Sequence, residues 1–262
     1  YSTQVERYHP FRLYMNELPA WDGTDRLKPL AKRVSNIPLW IKSFHTWMLG
    51  LAAQWLGVNQ TQANSVAPIL ISEEQGLHKS TFCRMLMPPQ LARYYSDNLK
   101  LTAQGNPERL LAEMGLLNMD EFDKFGAQKM PLLKNLMQMS SLNICKAYQK
   151  NFRSLPRIAS FIGTSNRTDL LCDPTGSRRF ICIEAEHDID CTGIEHSQIY
   201  AQLKEELLAG ARHWFNKEEE HALQCHNMAY YHVTPIEDIV RNTSAPATLN
   251  ESDCLSLSAA II

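Results

Sequence analysis

Two hydrophobic rhythms alternate along this chain. Short apolar runs bounded by polar turns occur at 67–71, 94–96, 116–122, 157–166 and 180–183, as buried strands require. Between them, 79–87, 108–114, 128–139 and 197–217 place apolar residues at helical spacing. Strands alternating with helices predict an α/β fold around a mainly parallel central sheet, because a parallel crossover needs a helix to return the chain. Helical spacing also precedes the first strand. Phe11, Leu13, Tyr14 and Leu18 predict a short amphipathic helix, and Leu39, Ile41, Phe44, Trp47, Met48, Leu51 and Leu56 predict a helical pattern over 30–58 that closes at Gly57. Such an aromatic stripe reads as core. The expected organisation is a helical lead-in (1–58), a core domain (59–185), a helical C-terminal extension (186–240) and a Ser/Thr/Asn/Ala-rich linker or start of a further small domain (241–262).

One stretch breaks the rhythm. Residues 140–153, SSLNICKAYQKNFR, alternate apolar and polar as an antiparallel hairpin does. Lys146, Lys150 and Arg153 interleave there with Tyr148 and Phe152. Cations beside aromatics suit single-stranded DNA, whose phosphates want charge and whose bases want a stacking face.

Composition bounds the rest. A hydrophobic content of 44% in 262 residues is that of a globular protein. No apolar run approaches the ~18–20 residues of a membrane span, so no membrane association is expected. Seven cysteines without C-x-x-C pairing predict reduced thiols and a cytoplasmic setting. The start without Met and the apolar SLSAAII end read as the edges of an excised fragment. The net charge of −2 conceals an asymmetry. Lys124, Lys129, Lys134, Lys146, Lys150, Arg153, Arg157 and Arg167 fall in an acid-free segment, while the remainder carries 18 basic against 28 acidic residues. His221, Cys225 and His226 could share a helical face, but no fourth zinc ligand stands at a recognised spacing, so structural roles are expected.

The candidate chemistry centres on VAPILISEEQGLHKSTF, at 66–82. Its order is strand, polar loop, then Lys79-Ser80-Thr81 at a helix start. A phosphate-binding loop uses this arrangement: backbone N–H groups from Gln75, Gly76, Leu77 and His78 onward cradle the anion, the lysine reaches the outer phosphates and the hydroxyl holds Mg²⁺. The pattern G-x-x-x-x-G-K-[ST] expects glycine at Glu73 and at His78, and only Gly76 remains. About 40 residues beyond Lys79, an apolar run leads into Asp120-Glu121, placed as a strand end beside the loop would be, with one carboxylate for Mg²⁺ and one for the attacking water. Asn166 ends the strand at 157–166 and would face the same crevice. Arg178 and Arg179 precede the last strand and suit a finger reaching a neighbour's nucleotide.

Taken in order, QGLHKSTF, NMDEF, ICKAYQKNF, FIGTSNRTDLLCDPTGSRRF and the lead-in HPFRLYMNELPAWDGTDRL resemble the virulence-associated protein E family. That family is similar to the superfamily 3 helicase part of phage and plasmid primase-helicases, an AAA+-like branch of the P-loop NTPases. The resemblance implies an ATP-dependent DNA helicase or translocase module of a mobile element. It implies phosphate binding by Lys79, Mg²⁺ held by Ser80 and Asp120, and water activation by Glu121. Asn166 would sense the γ-phosphate, Arg178 or Arg179 would act as arginine finger, and the hairpin would contact DNA. It further implies self-association, as in a hexameric ring, and a primase-like domain N-terminal to this one. The replaced glycines leave a second expectation open: a degenerate P-loop domain serving as a DNA-binding or assembly scaffold without hydrolysis.

Overall fold

The computed structural model describes residues 9–58, 61–102, 105–145, 152–171 and 174–231. Strands β1 (Ala67–Ile71), β2 (Tyr95–Ser96) and β3 (Leu116–Met119) are followed by the antiparallel pair β4 (Ser141–Cys145) and β5 (Phe152–Pro156), then by β6 (Ser160–Ser165) and β7 (Phe180–Glu184). All but β4 and β5 form one five-stranded sheet in the order β2-β3-β6-β1-β7, parallel throughout. Every residue of β1, β3 and β6 is buried. That is why these strands read as unbroken apolar runs: a parallel sheet is covered on both faces.

The strand order corrects one expectation. The acid-bearing strand β3 does not lie beside β1; β6 inserts between them, with Gly163 opposite both Ile69 and Met119. A Cβ at Gly163 would meet Ile69 Cδ1 at 2.8 Å and the Met119 carbonyl at 3.1 Å. Equally apolar strands do not announce their neighbours.

The helices are α1 (Pro10–Asn16), α2 (Leu27–Lys32), α3 (Pro38–Leu56), α4 (Lys79–Met85), α5 (Pro107–Glu113), α6 (Met130–Gln138), α7 (His196–Leu208) and α8 (Lys217–His226). One apolar layer joins Phe11, Trp40, Phe44, Trp47 and Trp55 of the lead-in to Leu70, Phe82, Ile162, Tyr200 and Leu203. On the opposite face Ile69, Ile71, Leu117, Met119 and Phe161 pack with Leu133, Leu136 and Met137 of α6. Among the described residues no helix is long and apolar enough to cross a membrane.

Two helix expectations are corrected by local chemistry. The pattern over 30–58 is α2 and α3, broken before Pro38. Ile37 is extended at φ −60, ψ 123, as a residue preceding proline prefers. The long helix over 197–217 ends at Leu208, and Gly210 turns left-handed at φ 86 before α8 starts. The acidic run at 218–220 is not simply solvated. Glu219 completes a capping box with Asn216, takes two bonds from Arg212 at 2.6 and 2.8 Å, and meets Lys42 of α3 at 3.0 Å. Arg212 holds the Glu219 carboxyl down to about 2. Its folded pKa lies below its unfolded one, so its stabilisation is full above the unfolded value and fades as pH falls from about 4.5 towards 2. Urea melts across that window are expected to show a steeper acid loss for the natural chain than for Arg212→Met.

The basic segment also needs correction. Arg157 is interior, and its guanidinium donates to the carbonyls of Ala159 (2.7 Å), Met137 (2.5 Å), Leu136 (3.2 Å), Met139 (3.5 Å) and Asn64 (3.0 Å). Burial pushes its pKa down to about 9, leaving it charged at neutral pH against the C-terminal carbonyls of α6. Lys124 pairs with Glu121 at 2.6 Å, and Arg167 with Asp169 at 2.6 Å. Acids just outside the segment thus fold back onto it. Arg157→Met would leave these carbonyls without their donor in a dry core. A loss of roughly 3–5 kcal/mol in denaturant melts is expected; a loss below about 1 kcal/mol would refute this role for Arg157.

Candidate functional site

The C-terminal ends of β1, β3 and β6 share one edge of the sheet, since Ile71 is in register with Ser165 and Met119 with Gly163. What leaves each strand there is polar. From β1 comes the loop ending in His78 and α4; from β3 come Asp120 and Glu121; from β6 comes Asn166. A cavity of about 370 Å³ opens between them, lined by Gln75, Gly76, Leu77, His78, Lys79, Ser80, Thr81, Asp120, Glu121, Thr164 and Asn166.

Lys79 is buried and folded over the loop. Its Nζ donates to the carbonyls of Ser72 (3.0 Å) and Glu74 (3.4 Å) and to Asn166 Oδ1 (3.1 Å). Burial lowers its pKa, and the charge of Asp120 opposes that shift. Asp120 Oδ1 accepts from Ser80 Oγ at 2.8 Å and from Thr164 Oγ1 at 2.6 Å. The Glu121 N–H donates to the same Thr164 hydroxyl at 3.4 Å, with Glu121 left-handed at φ 51. The Glu121 carboxylate is held by Lys124.

The loop shows how it manages without glycine. Gly76 has φ 89, and His78, where the pattern wants glycine, also turns left-handed at φ 57, ψ 23. Histidine tolerates that region better than most residues, at a cost of order 1–3 kcal/mol. Its imidazole is bonded through Nδ1 to Asp188 Oδ1 at 2.6 Å. Glu73 is exposed, and its carboxylate accepts from Thr168 Oγ1 at 3.4 Å.

Lys79, Ser80, Asp120, Glu121 and Asn166 are therefore brought together, as are the loop residues Gln75 to Thr81. Arg178 and Arg179 are not. They precede β7, whose Phe180 is in register with Ala67, so they lie a strand length of about 13 Å from the cavity edge. Arg178 Nη1 lies 3.4 Å from Glu220 Oε2 of α8. The hairpin exists as β4 and β5, with Arg153 opposite Ile144. Lys146, Tyr148, Lys150 and the Arg153 side chain lie outside the described residues. His221 Nε2 is 3.6 Å from Cys225 Sγ, while His226 Nε2 is bonded to the Cys182 carbonyl at 2.8 Å. No cluster able to hold a metal through His, Cys, Asp or Glu occurs among the described residues.

Sequence reasoning missed two participants. Thr164 sits within the small polar end of β6, G-T-S-N, which was the available signal. Asp188 lies in a loop 110 residues from His78, and no local pattern marks it.

A five-stranded parallel sheet in this order, with a lysine-bearing loop after β1 and acids after β3, has the arrangement of an α/β P-loop-like domain. The chain belongs to the virulence-associated protein E-like domain family, whose model matches residues 15–232. The A-form apo structure of the NrS-1 C-terminal region is similar at 18% identity and a TM-score of 0.50, over 87% of this chain and 55% of that one. A second apo structure of that region gives 18% identity and 0.46, over 88% and 54%. A third gives 19% and 0.48 over the same shares. At this identity the likeness is one of fold, and the chain spans little more than half the length of those regions. No curated protein matches the chain.

Proposed function

We propose that the chain binds ATP with Mg²⁺ in this cavity and hydrolyses it to drive movement along single-stranded DNA. The observation that carries the reading is the convergence of Lys79, Ser80, Asp120, Glu121 and Asn166 on one cavity of about 370 Å³. The site fits a polyanion: Lys79 is a buried ammonium that touches only neutral oxygens, and no carboxylate of the described residues pairs with it. It also suits a hard cation, because the Ser80 hydroxyl and Asp120 carboxylate present oxygen within 2.8 Å of each other. When bound, Mg²⁺ would neutralise phosphate charge.

Each residue then has a task. The loop N–H groups orient the phosphates, and Lys79 exchanges its carbonyl partners for phosphate oxygens. Ser80 and Asp120 would hold the cation, with Thr164 keeping the Asp120 carboxylate in place. Glu121, once released from Lys124, accepts the proton of the attacking water. Asn166 reports the outermost phosphate to Lys79. Arg178 or Arg179 would act on the nucleotide of an adjacent copy in a ring, and Lys146, Tyr148, Lys150 and Arg153 would meet DNA. The test is calorimetry with Mg-ATP, together with phosphate release with and without single-stranded DNA. Absence of both binding and turnover ends the enzymatic reading.

One observation favours a second reading: Lys79 is already satisfied by oxygens of its own loop and Asn166. A scaffold without hydrolysis would bind DNA in a salt-sensitive way that Mg-ATP leaves unchanged.

A further inference from the structure

The loop between β7 and α7 crosses over the phosphate loop, and it is anchored on both sides of the crossing. Before it, Glu186 accepts from Ser35 Oγ (2.6 Å), the Asn36 backbone N–H (3.1 Å) and Asn36 Nδ2 (3.2 Å). After it, Arg33 Nη1 donates to the carbonyls of Asp190 (2.9 Å) and Thr192 (2.5 Å). Between the anchors Ile189 is buried and its N–H donates to the Leu77 carbonyl at 3.4 Å. There Asp188 reaches the His78 imidazole.

We propose that Asp188 is a positioning residue of the nucleotide site. Through His78 it holds the phosphate loop in the left-handed turn that glycine would adopt unaided. The anchored strap and the imidazole together replace the missing glycine. The physical need is plain: a side chain at 78 disfavours φ 57, so without a tether the loop would relax towards right-handed conformers and turn its N–H groups from the cavity. Anchoring at Glu186 and Arg33 fixes Asp188 before nucleotide arrives, so the tether costs little ordering entropy on binding. The inference rests on the nucleotide reading above.

A double-mutant cycle on the whole chain tests it, with Mg-ATP affinity read by calorimetry and thermal midpoints recorded in parallel. Asp188→Ala is expected to weaken Mg-ATP binding about fivefold, the upper end for an exposed pair. In the His78→Gly background the same substitution is expected to change affinity by less than about 1.5-fold, since glycine takes the turn freely. Equal losses in both backgrounds would show that Asp188 acts without His78 and overturn the inference, as would no loss in either. A merely structural role would lower the thermal midpoint alike in both backgrounds and leave affinity unmoved, which also overturns it. If the natural chain binds no Mg-ATP, the nucleotide reading falls and takes this inference with it. Binding by the natural chain with an additive cycle removes this inference alone.

Discussion

Lys79→Ala is expected to weaken Mg-ATP binding at least a hundredfold, about 2.7 kcal/mol, and to reduce ATP turnover to background. The magnitude follows from where the ammonium sits. It is 7% exposed, in surroundings of low dielectric where a charge on phosphate acts more strongly than in water. Its present partners are two carbonyls and one amide oxygen, each a weaker acceptor than a phosphate oxygen. Exchanging them for phosphate is therefore favourable, and alanine removes the exchange. The substitution also frees buried oxygens, so thermal melts must accompany the titration. A variant that stays folded and binds as the natural chain does would refute phosphate binding by Lys79.

Glu121→Gln is expected to separate binding from chemistry. Turnover should fall by about 10²–10³-fold, the contribution of a positioned general base, while Mg-ATP affinity stays within about threefold. Glutamine keeps the shape of the side chain and loses the proton acceptor. The backbone N–H bond to Thr164, which helps hold Glu121 left-handed, does not involve the carboxyl, so the turn survives. The Lys124 ion pair does involve it, yet both partners are about half-exposed or more, and such pairs contribute little. Single-turnover phosphate release measures the first effect and calorimetry the second. Unchanged turnover would assign the base elsewhere and return weight to the scaffold reading.

How far these sites were legible depends on where each residue's environment is made. Gly57 closing α3 and Pro107 opening α5 follow from backbone restrictions within a few residues, and so both could be read from the chain. The Lys79–Asp120 relation was legible because strand, loop and helix recur in a fixed order along the chain. The role of Arg157 was not: the chain places it at the start of a buried strand and within a basic segment, and only the folded structure shows the carbonyls of Ala159, α6 and Asn64 that take up its guanidinium. His78 was legible as a departure from the glycine pattern, but its geometry was not. The expected glycine geometry is present, and the residue that supplies it is held there from a distant loop.

By itself the sequence determined what nearest-neighbour physics controls: alternating strands and helices, apolar runs buried on both faces, and polar groups at the strand ends. Only the tertiary structure decided which strands touch, that β6 separates β1 from β3, that Arg178 faces Glu220 away from the cavity, and that Asp188 meets His78. The reason is common to all four. Each depends on groups far apart in the chain whose meeting is set by packing of the whole sheet, and no local preference encodes that.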